Sequence, residues 1–291
     1  MLPKEFKQFS TLFKFGSIEK AIEFYAVFGG SNLELDDISI IDDTLSNILS
    51  NIHKMTIFDN ITLTDDEFNF LIILANQDRR EFSAISKSDL GQLKGKEIVS
   101  SLIDKNVILK EYSREEPLKK DKKHKLKKED RRYHIQHKLI FQTQFLRFYF
   151  TFIAPFVNNF DLEIVINNIK LQLSKYIART FENLSNELIQ KISFDGLKVV
   201  ESGGYWTKHV EIDILAKLQN KRIIVGECKW KNSKICKNIL TELKRKCEIS
   251  NIEASYFTLF SKSGFSKELI NLKEKNLFLF DCDSFRGLID D

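Results

Sequence analysis

The sequence has no run approaching the ~20 consecutive apolar residues that a membrane-spanning helix needs, so we expect no membrane partner. Its first residues, MLPKEFKQF, lack the basic and then apolar layout of a signal peptide, which makes the cytoplasm the expected compartment. The cysteines form no CxxC pair and have no histidine at zinc-ligand spacing. We therefore expect reduced, mostly buried thiols and no structural zinc site at Cys228, Cys236, Cys247 and Cys282.

The chain does contain enough apolar material for well-buried cores, with 43% hydrophobic residues and 25 Phe, and its 30% of charged residues can cover a hydrated surface. Its 291 residues allow two or three small domains. Composition and periodicity predict a mixed fold, α+β with an α/β part. The predicted division is a helical segment over 1–60, a winged helix over 61–137, connecting helices over 138–172 and an α/β domain over 173–291.

The segment 1–60 is expected to contain two helices. Apolar residues at helical spacing predict the first helix, which ends at Gly29 and Gly30 because glycine readily ends helices. A second apolar stripe predicts a helix over about 42–55. Neither helix carries an obvious chemical group.

The next segment has the helix pattern of a winged helix. Thr64, with Glu67 three residues later, has the spacing of a capping pair at a helix start. A short helix near 87–90 and another over about 94–105 are predicted to follow. The latter presents Lys94 and Lys96 outward, where a recognition helix would face DNA.

The net charge of +4 conceals one strongly basic segment, 118–132, with nine Lys or Arg against three acidic residues. The flanking residues 107–112 and 131–136 predict the two strands of a hairpin, with the basic segment as its tip, or wing. Such a wing is expected to contact DNA phosphates. A solvated charge run, or a winged helix that binds protein, is the alternative. The expected DNA-binding residues are Lys94, Lys96, Lys119, Lys120, Lys122, Lys123, Lys125, Lys127 and Lys128.

The remaining chain switches from helical to strand periodicity. Residues 141–156, with six Phe, predict a buried connecting helix, and 161–192 predict two helices or one kinked helix. After the helix around 180–189, the pattern predicts three strands, a helix and two further strands. These elements are expected at 197–200, 210–218, 222–230, 239–248, 254–261 and 276–281. The order helix, three strands, helix, strand is that of a layered α/β domain.

Three charged residues interrupt two of these apolar strands. Asp213 lies within VEIDILA, while Glu227 and Lys229 lie near the end of IIVGECKW, on one face by the two-residue strand period. Charges in buried strands are costly unless they are paired or bind a metal. Two carboxylates suit Mg²⁺ or Mn²⁺, and a lysine can orient a water or offset phosphate charge. A plain salt bridge of Lys229 is the alternative.

The stretch from Phe181 through VEID and GECKW to LTELKRK resembles the uncharacterised domain found C-terminal to the ATPase in archaeal-type AAA ATPases. That domain is related to PD-(D/E)xK nucleases such as archaeal Holliday-junction resolvases. LRFYFTFIAP resembles the family's linker, and YAVFGG resembles the lid that ends its ATPase domain. The resemblance implies a lid-like segment and winged helix, followed by an αβββαβ PD-(D/E)xK nuclease-like domain.

Carried over by position, Asp213, Glu227 and Lys229 match the nuclease signature, and Glu182 matches an acidic residue that adds a metal ligand from the first helix. An ordinary solvent-facing role for Glu182 is the alternative. Glu211 is a reserve ligand, and Lys244 is expected to approach the site or the phosphate. The expected function is Mg²⁺- or Mn²⁺-dependent hydrolysis of DNA phosphodiester bonds. The alternative is an inactive DNA- or protein-binding regulator or scaffold.

The sequence departs from this family in lacking a Walker A pattern, GxxxxGK[ST]. GQLKGKE has one residue too few between its glycines and no Ser or Thr after the lysine. We therefore expect no ATP hydrolysis and interpret 1–60 as a remnant lid. A separately encoded ATPase is a candidate partner. Oligomeric state and the preferred DNA structure stay open.

Overall fold

The computed structural model describes residues 3–13, 15–31, 41–49, 61–116 and 133–290. The tip of the predicted wing, with the seven lysines from Lys119 to Lys128, lies outside these residues. The last part of the helix predicted over 42–55 lies outside them as well.

The helices of the N-terminal half are α1 (Pro3–Leu12), α2 (Ile18–Phe28), α3 (Ile41–Leu49), α4 (Asp65–Ala75), α5 (Glu81–Lys87) and α6 (Gln92–Asp104). The predicted cap is confirmed, since Thr64 and Glu67 form a reciprocal capping box at the start of α4. The short helix predicted near 87–90 is misplaced, because α5 ends where that prediction begins. Asp89 and Gly91 both have positive φ, at 54° and 72°, and turn the chain there.

A two-stranded hairpin follows α6, with β1 (Ile108–Glu111) antiparallel to β2 (Lys138–Phe141). The prediction that 131–136 forms the second strand is wrong. Residues 133–137 form no strand, and the carbonyl of Gln136 instead accepts a hydrogen bond from the Trp206 indole N–H at 2.7 Å. The β-partner of β1 is therefore the apolar run KLIF rather than the stretch beside the basic segment.

The connection to the sheet changes helix type twice. α7 (Gln144–Phe148) continues as a π-helical turn (Tyr149–Ile153) and then as a 3₁₀ helix (Ala154–Asn159), so the single helix predicted over 141–156 is wrong in detail. Pro155 has no N–H to donate and cannot continue an α-helix. α8 (Leu162–Lys191) is then one 30-residue helix, which runs unbroken across the predicted boundary at 172 and 173.

The C-terminal half contains a six-stranded mixed sheet in the spatial order of its sequence. Its strands are β3 (Ser193–Phe194), β4 (Leu197–Trp206), β5 (Glu211–Leu218), β6 (Ile223–Lys229), β7 (Ala254–Ser261) and β8 (Leu277–Phe280). Strands β3 to β6 are antiparallel, and β6, β7 and β8 are parallel. Parallel neighbours need crossover connections, which here contain α9 (Lys237–Ile249) and α10 (Lys267–Asn271). A 3₁₀ helix (Cys282–Leu288), which the sequence did not predict, follows β8.

Helices cover the sheet on both faces. One apolar cluster joins the α8 side of the sheet to α1 and α2 and extends from Phe6 to Leu288. A smaller cluster joins the other face to α9 through Leu240 and Leu243. The N-terminal helices therefore share a core with the sheet. No helix in the described part of the chain is long and apolar enough to cross a membrane.

All four cysteines lie in described segments and are free thiols, as predicted. Cys228 and Cys247 are buried and Cys282 is partly buried, whereas Cys236 is exposed.

Candidate functional site

Asp213 lies in a β-bulge. Gly203 pairs with Leu215, and Tyr205 pairs with Ile212, so two residues of β5 face one residue of β4. Bulges bend a strand and redirect its side chains, and they occur often beside functional sites. The bulge therefore sets the direction of the Asp213 carboxylate independently of the regular strand alternation.

The Asp213 carboxylate occupies the point where β5 and β6 separate. The last ladder pair at this end joins Ile214 to Gly226, and beyond it Oδ2 of Asp213 accepts a hydrogen bond from the Cys228 N–H at 2.8 Å. Asn186 of α8 donates to the Asp213 carbonyl at 3.0 Å. At this strand end the Asp213 side chain thus replaces a backbone carbonyl as the hydrogen-bond acceptor. Asn186 of α8 fixes the backbone of the same residue.

Glu227 lies on β6 and is buried beside Asp213 of β5. Two lysines form ion pairs with its carboxylate. Lys229 Nζ donates to Oε1 at 2.7 Å, and Lys246 Nζ donates to Oε2 at 2.8 Å. The prediction that Glu227 and Lys229 share a face is confirmed. Lys246 was not predicted, and it contacts the cluster instead of Lys244, which pairs with Glu274 at 2.9 Å. Two helical residues two positions apart differ by about 200° in direction, so only one of these lysines can face β6.

Glu182 reaches this region from α8, partly buried, and accepts a hydrogen bond from Arg179 Nη1 at 2.9 Å. Arg179 also binds both carboxylate oxygens of Glu111, each at 2.7 Å. Glu211 does not join Asp213, because it accepts a bond from the buried Lys138 at 2.6 Å and is itself about half exposed. Arg179 of α8, itself paired with Glu111 of β1, thus engages Glu182, and Lys138 of β2 engages Glu211.

The charges of the cluster act on one another. Burial raises the pKa of Asp213 well above its ordinary value, and the Glu182 and Glu227 carboxylates raise it further, against the opposing effects of the Cys228 N–H and Lys229. Burial alone would lower the pKa of Lys229, but Glu227 and Asp213 raise it above its ordinary value. Lys229 is therefore a cation at neutral pH, while the electrostatics at Asp213 favour binding of a proton or another cation.

The carboxylates of Asp213 and Glu227 suit a hard cation that takes only a few of its ligands from the protein. In the described part of the chain, no three or more His, Cys, Asp and Glu side chains are gathered as a metal-binding group, so Glu182 does not complete such a set with Asp213 and Glu227. Mg²⁺ commonly binds through one or two carboxylates and keeps several waters. Asp213 and Glu227 fit that mode, although a metal would have to displace at least one lysine from Glu227.

The predicted DNA-binding lysines that the structure describes lie at the start of α6. Lys94 is exposed and pairs with Asp66 at 2.5 Å, and Lys96, two residues further along the same helix, is also exposed. The remaining seven, from Lys119 to Lys128, lie outside the described residues.

These features define a mixed α+β protein in which helices surround a curled six-stranded mixed sheet, with a charged cluster where two strands separate. Residues 149–244 match the model of the family DUF234, described as "Archaea bacterial proteins of unknown function". The matched region extends from the π-helical turn into α9 and contains Glu182, Asp213, Glu227 and Lys229.

No curated protein matches the chain. Among solved structures, protein VC1899 from Vibrio cholerae is similar at 12% sequence identity with a TM-score of 0.30. The match covers 99% of this chain and 54% of that one, so this chain spans about half the length of VC1899. A TM-score of 0.30 does not establish a shared fold.

Proposed function

We propose that the chain binds DNA and that its sheet carries a PD-(D/E)xK-type site that hydrolyses phosphodiester bonds with Mg²⁺ or Mn²⁺. The observation that supports this best is the position of Asp213 in a bulge, at a strand separation, beside Glu227 and Lys229. Apart from the two-residue strand β3, which lies between α8 and β4, the elements α8, β4, β5, β6, α9 and β7 follow the αβββαβ order expected for such a domain, which supports the proposal.

The residues of the cluster have separate roles in this proposal. Asp213 and Glu227 would hold the metal, and Glu182 would add a ligand only if it were released from Arg179. A bound Mg²⁺ would polarise the phosphodiester and lower the pKa of an attacking water. Lys229, held as a cation, donates a hydrogen bond to that water or to a phosphate oxygen. Lys246 balances the charge of Glu227 in the absence of substrate.

DNA binding is proposed for the helices and hairpin that precede the sheet. Helices α4 to α6 and the β1–β2 hairpin have the element order of a winged helix, and exposed Lys94 and Lys96 lie at the start of α6. This unit is fixed to the sheet, because the Ser113 hydroxyl donates to the Trp206 carbonyl at 2.9 Å and accepts from its N–H at 2.8 Å. DNA bound to these helices and the hairpin would therefore lie at a constant distance from the charged cluster on the sheet.

The test has two parts, metal binding and cleavage. Calorimetry with Mg²⁺ and Mn²⁺ should give a binding signal for the wild type that is lost in an Asp213→Ala, Glu227→Ala double variant. Lys244→Met, on the same helix as Lys246 but paired elsewhere, should bind like the wild type. Plasmid and branched DNA should then be cleaved by the wild type and not by the double variant. A folded wild type that cleaves none of these substrates would refute the enzymatic proposal.

A binding module that has lost catalysis is the second candidate, and one observation favours it. Both oxygens of Glu227 are already neutralised by lysines, which is a self-contained ion-pair cluster. If neither wild type nor double variant binds metal, even with DNA present, this second function replaces the first.

Under either function the absence of ATP hydrolysis, the separate ATPase partner and the cytoplasmic location stay predictions. Tight binding of Mg·ATP in a titration would contradict the first of them.

A further inference from the structure

A small cavity lies where α4, β2, α7 and α8 meet, and none of Asp213, Glu227 and Lys229 lines it. Its volume is about 50 Å³. One water-sized sphere occupies roughly 10–15 Å³, so the cavity has room for about three to five such groups. The polar side chains that line it are Arg79, Arg147, Arg179, Thr143, Gln144 and Asn183.

Arg79 and Arg179 lie near three carboxylates, Glu111, Glu182 and Glu211, and near Lys138. Arg179 binds Glu111 and Glu182, and Arg79 approaches the same Glu111 at 3.4 Å. Arg147 has no ion-pair partner within the described residues. With Lys138 included, four cationic groups stand against three carboxylates, which leaves one positive charge without a counter-charge.

Arg147 is also incompletely hydrogen-bonded. Its Nη2 donates to the Thr180 hydroxyl at 2.8 Å and to the Tyr176 carbonyl at 3.3 Å, and its guanidinium stacks 4.0 Å from the Tyr176 ring centre. Its Nε is buried and finds no acceptor among the described residues. A buried N–H without an acceptor destabilises the folded protein, and an anionic ligand that accepts from it would remove that penalty.

The arginines also repel one another. Burial lowers the pKa of Arg79 to about 10, and the charge of Arg179 contributes to this, against the effect of Glu111. An anion placed between the guanidinium groups would offset that repulsion. Guanidinium groups bind planar and tetrahedral oxyanions through paired N–H donors, more strongly than they bind neutral acceptors.

We propose that this cavity binds a small free oxyanion of the size of inorganic phosphate, with Arg147 as its principal donor and Arg79 and Arg179 supplying further positive charge. The four oxygens of a phosphate ion match the number of water-sized groups for which the cavity has room. The volume of about 50 Å³ suits a free ion of this size, whereas the sugars of a DNA phosphate would have to lie outside the cavity. This proposal does not depend on the nuclease proposal.

The test uses thermal unfolding of the full chain in sodium phosphate and in sodium chloride at equal ionic strength. Phosphate at about ten times its Kd should raise the Tm of the wild type by about 3 °C over chloride. Arg147→Met should remove this response. Arg245→Met is the matched control, because Arg245 is exposed on α9 and pairs with Glu242, and it should keep the wild-type response.

A second variant keeps the test decisive if Arg147→Met does not fold. Asn183→Asp places a carboxylate in the wall of the cavity and would supply the missing counter-charge within the chain. It should raise the Tm in chloride and abolish the further rise in phosphate. Equal Tm values in phosphate and chloride for the wild type would show that the cavity holds only water and would overturn the proposal. An undiminished phosphate response in Asn183→Asp would overturn it as well.

Discussion

Replacing Glu187 by Gln is predicted to stabilise the protein, increasingly so as the pH rises. Glu187 lies on α8, buried at 9% exposure, and its Oε2 has no hydrogen-bond partner among the described residues. Burial raises the pKa of this carboxyl from 4.5 to about 8, and the nearby carboxylate of Glu5 on α1 adds to the rise. The folded protein therefore keeps Glu187 protonated at neutral pH, while the unfolded chain ionises it.

The sign and size of the effect follow from that difference in proton binding. Between pH 4.5 and about 8 the folded state holds one more proton at Glu187 than the unfolded state does, so the free energy of unfolding falls as pH rises through this window. Each unit of pKa difference corresponds to about 1.4 kcal/mol. The penalty is then below about 1 kcal/mol at pH 5 and roughly 3 kcal/mol at pH 7, and it levels off above pH 8. Gln has no proton to lose and removes the pH-dependent part.

Urea unfolding followed by circular dichroism at pH 5 and pH 8 measures this difference. The stability gained by Glu187→Gln over wild type should grow by about 3 kcal/mol between the two pH values. Glu242→Gln, at an exposed position on α9, is the control and should show no comparable growth. If the gain at Glu187 were the same at both pH values, the carboxyl would be ionised in the folded state and the reasoning would be wrong.

Three further predictions concern other parts of the fold. Asp213→Asn should raise the Tm at pH 8, because it removes a carboxyl crowded by two others, and it should weaken Mg²⁺ binding in calorimetry. Glu67→Ala removes one half of the capping box of α4 and the ion pair with Lys105 at the end of α6, and it should cost roughly 2–3 kcal/mol in urea unfolding, whereas Asp66→Ala should change stability by less than about 0.5 kcal/mol. Gly226→Ala would force a methyl group into a threonine hydroxyl of β7 and should cost at least about 2 kcal/mol, while Gly16→Ala meets nothing within 4 Å and should be near neutral.

The strands that position the site were predictable because local patterns determine them. β7 was placed at 254–261 as found, and β5 and β6 begin and end within a residue of their predicted bounds. The two-residue strand period was also sufficient to place Glu227 and Lys229 on one face. These features need only the apolar alternation and the turns that bound it.

The rest of the site depends on contacts between distant segments. The bulge at Asp213 arises from pairing with β4, which is itself interrupted by irregular register, and no local signal marks it. The choice of Lys246 over Lys244 depends on how α9 rotates against β6. The arginine-lined cavity brings together Arg79, Arg147 and Arg179, which are separated by more than thirty residues at each step. The pairing of β1 with the apolar run KLIF, rather than with the residues beside the basic segment, is likewise a contact between distant segments that no local pattern determines.

The unbroken helix α8 limits how this gene could be cut and recombined. At 30 residues it is about 45 Å long, and it contributes to the shared apolar core from Val165 near its start to Ile189 near its end. A crossover within its codons would separate two halves that share one apolar core. Shuffled or split versions of the protein are therefore expected to express as folded products only when the breakpoint lies outside residues 162–191.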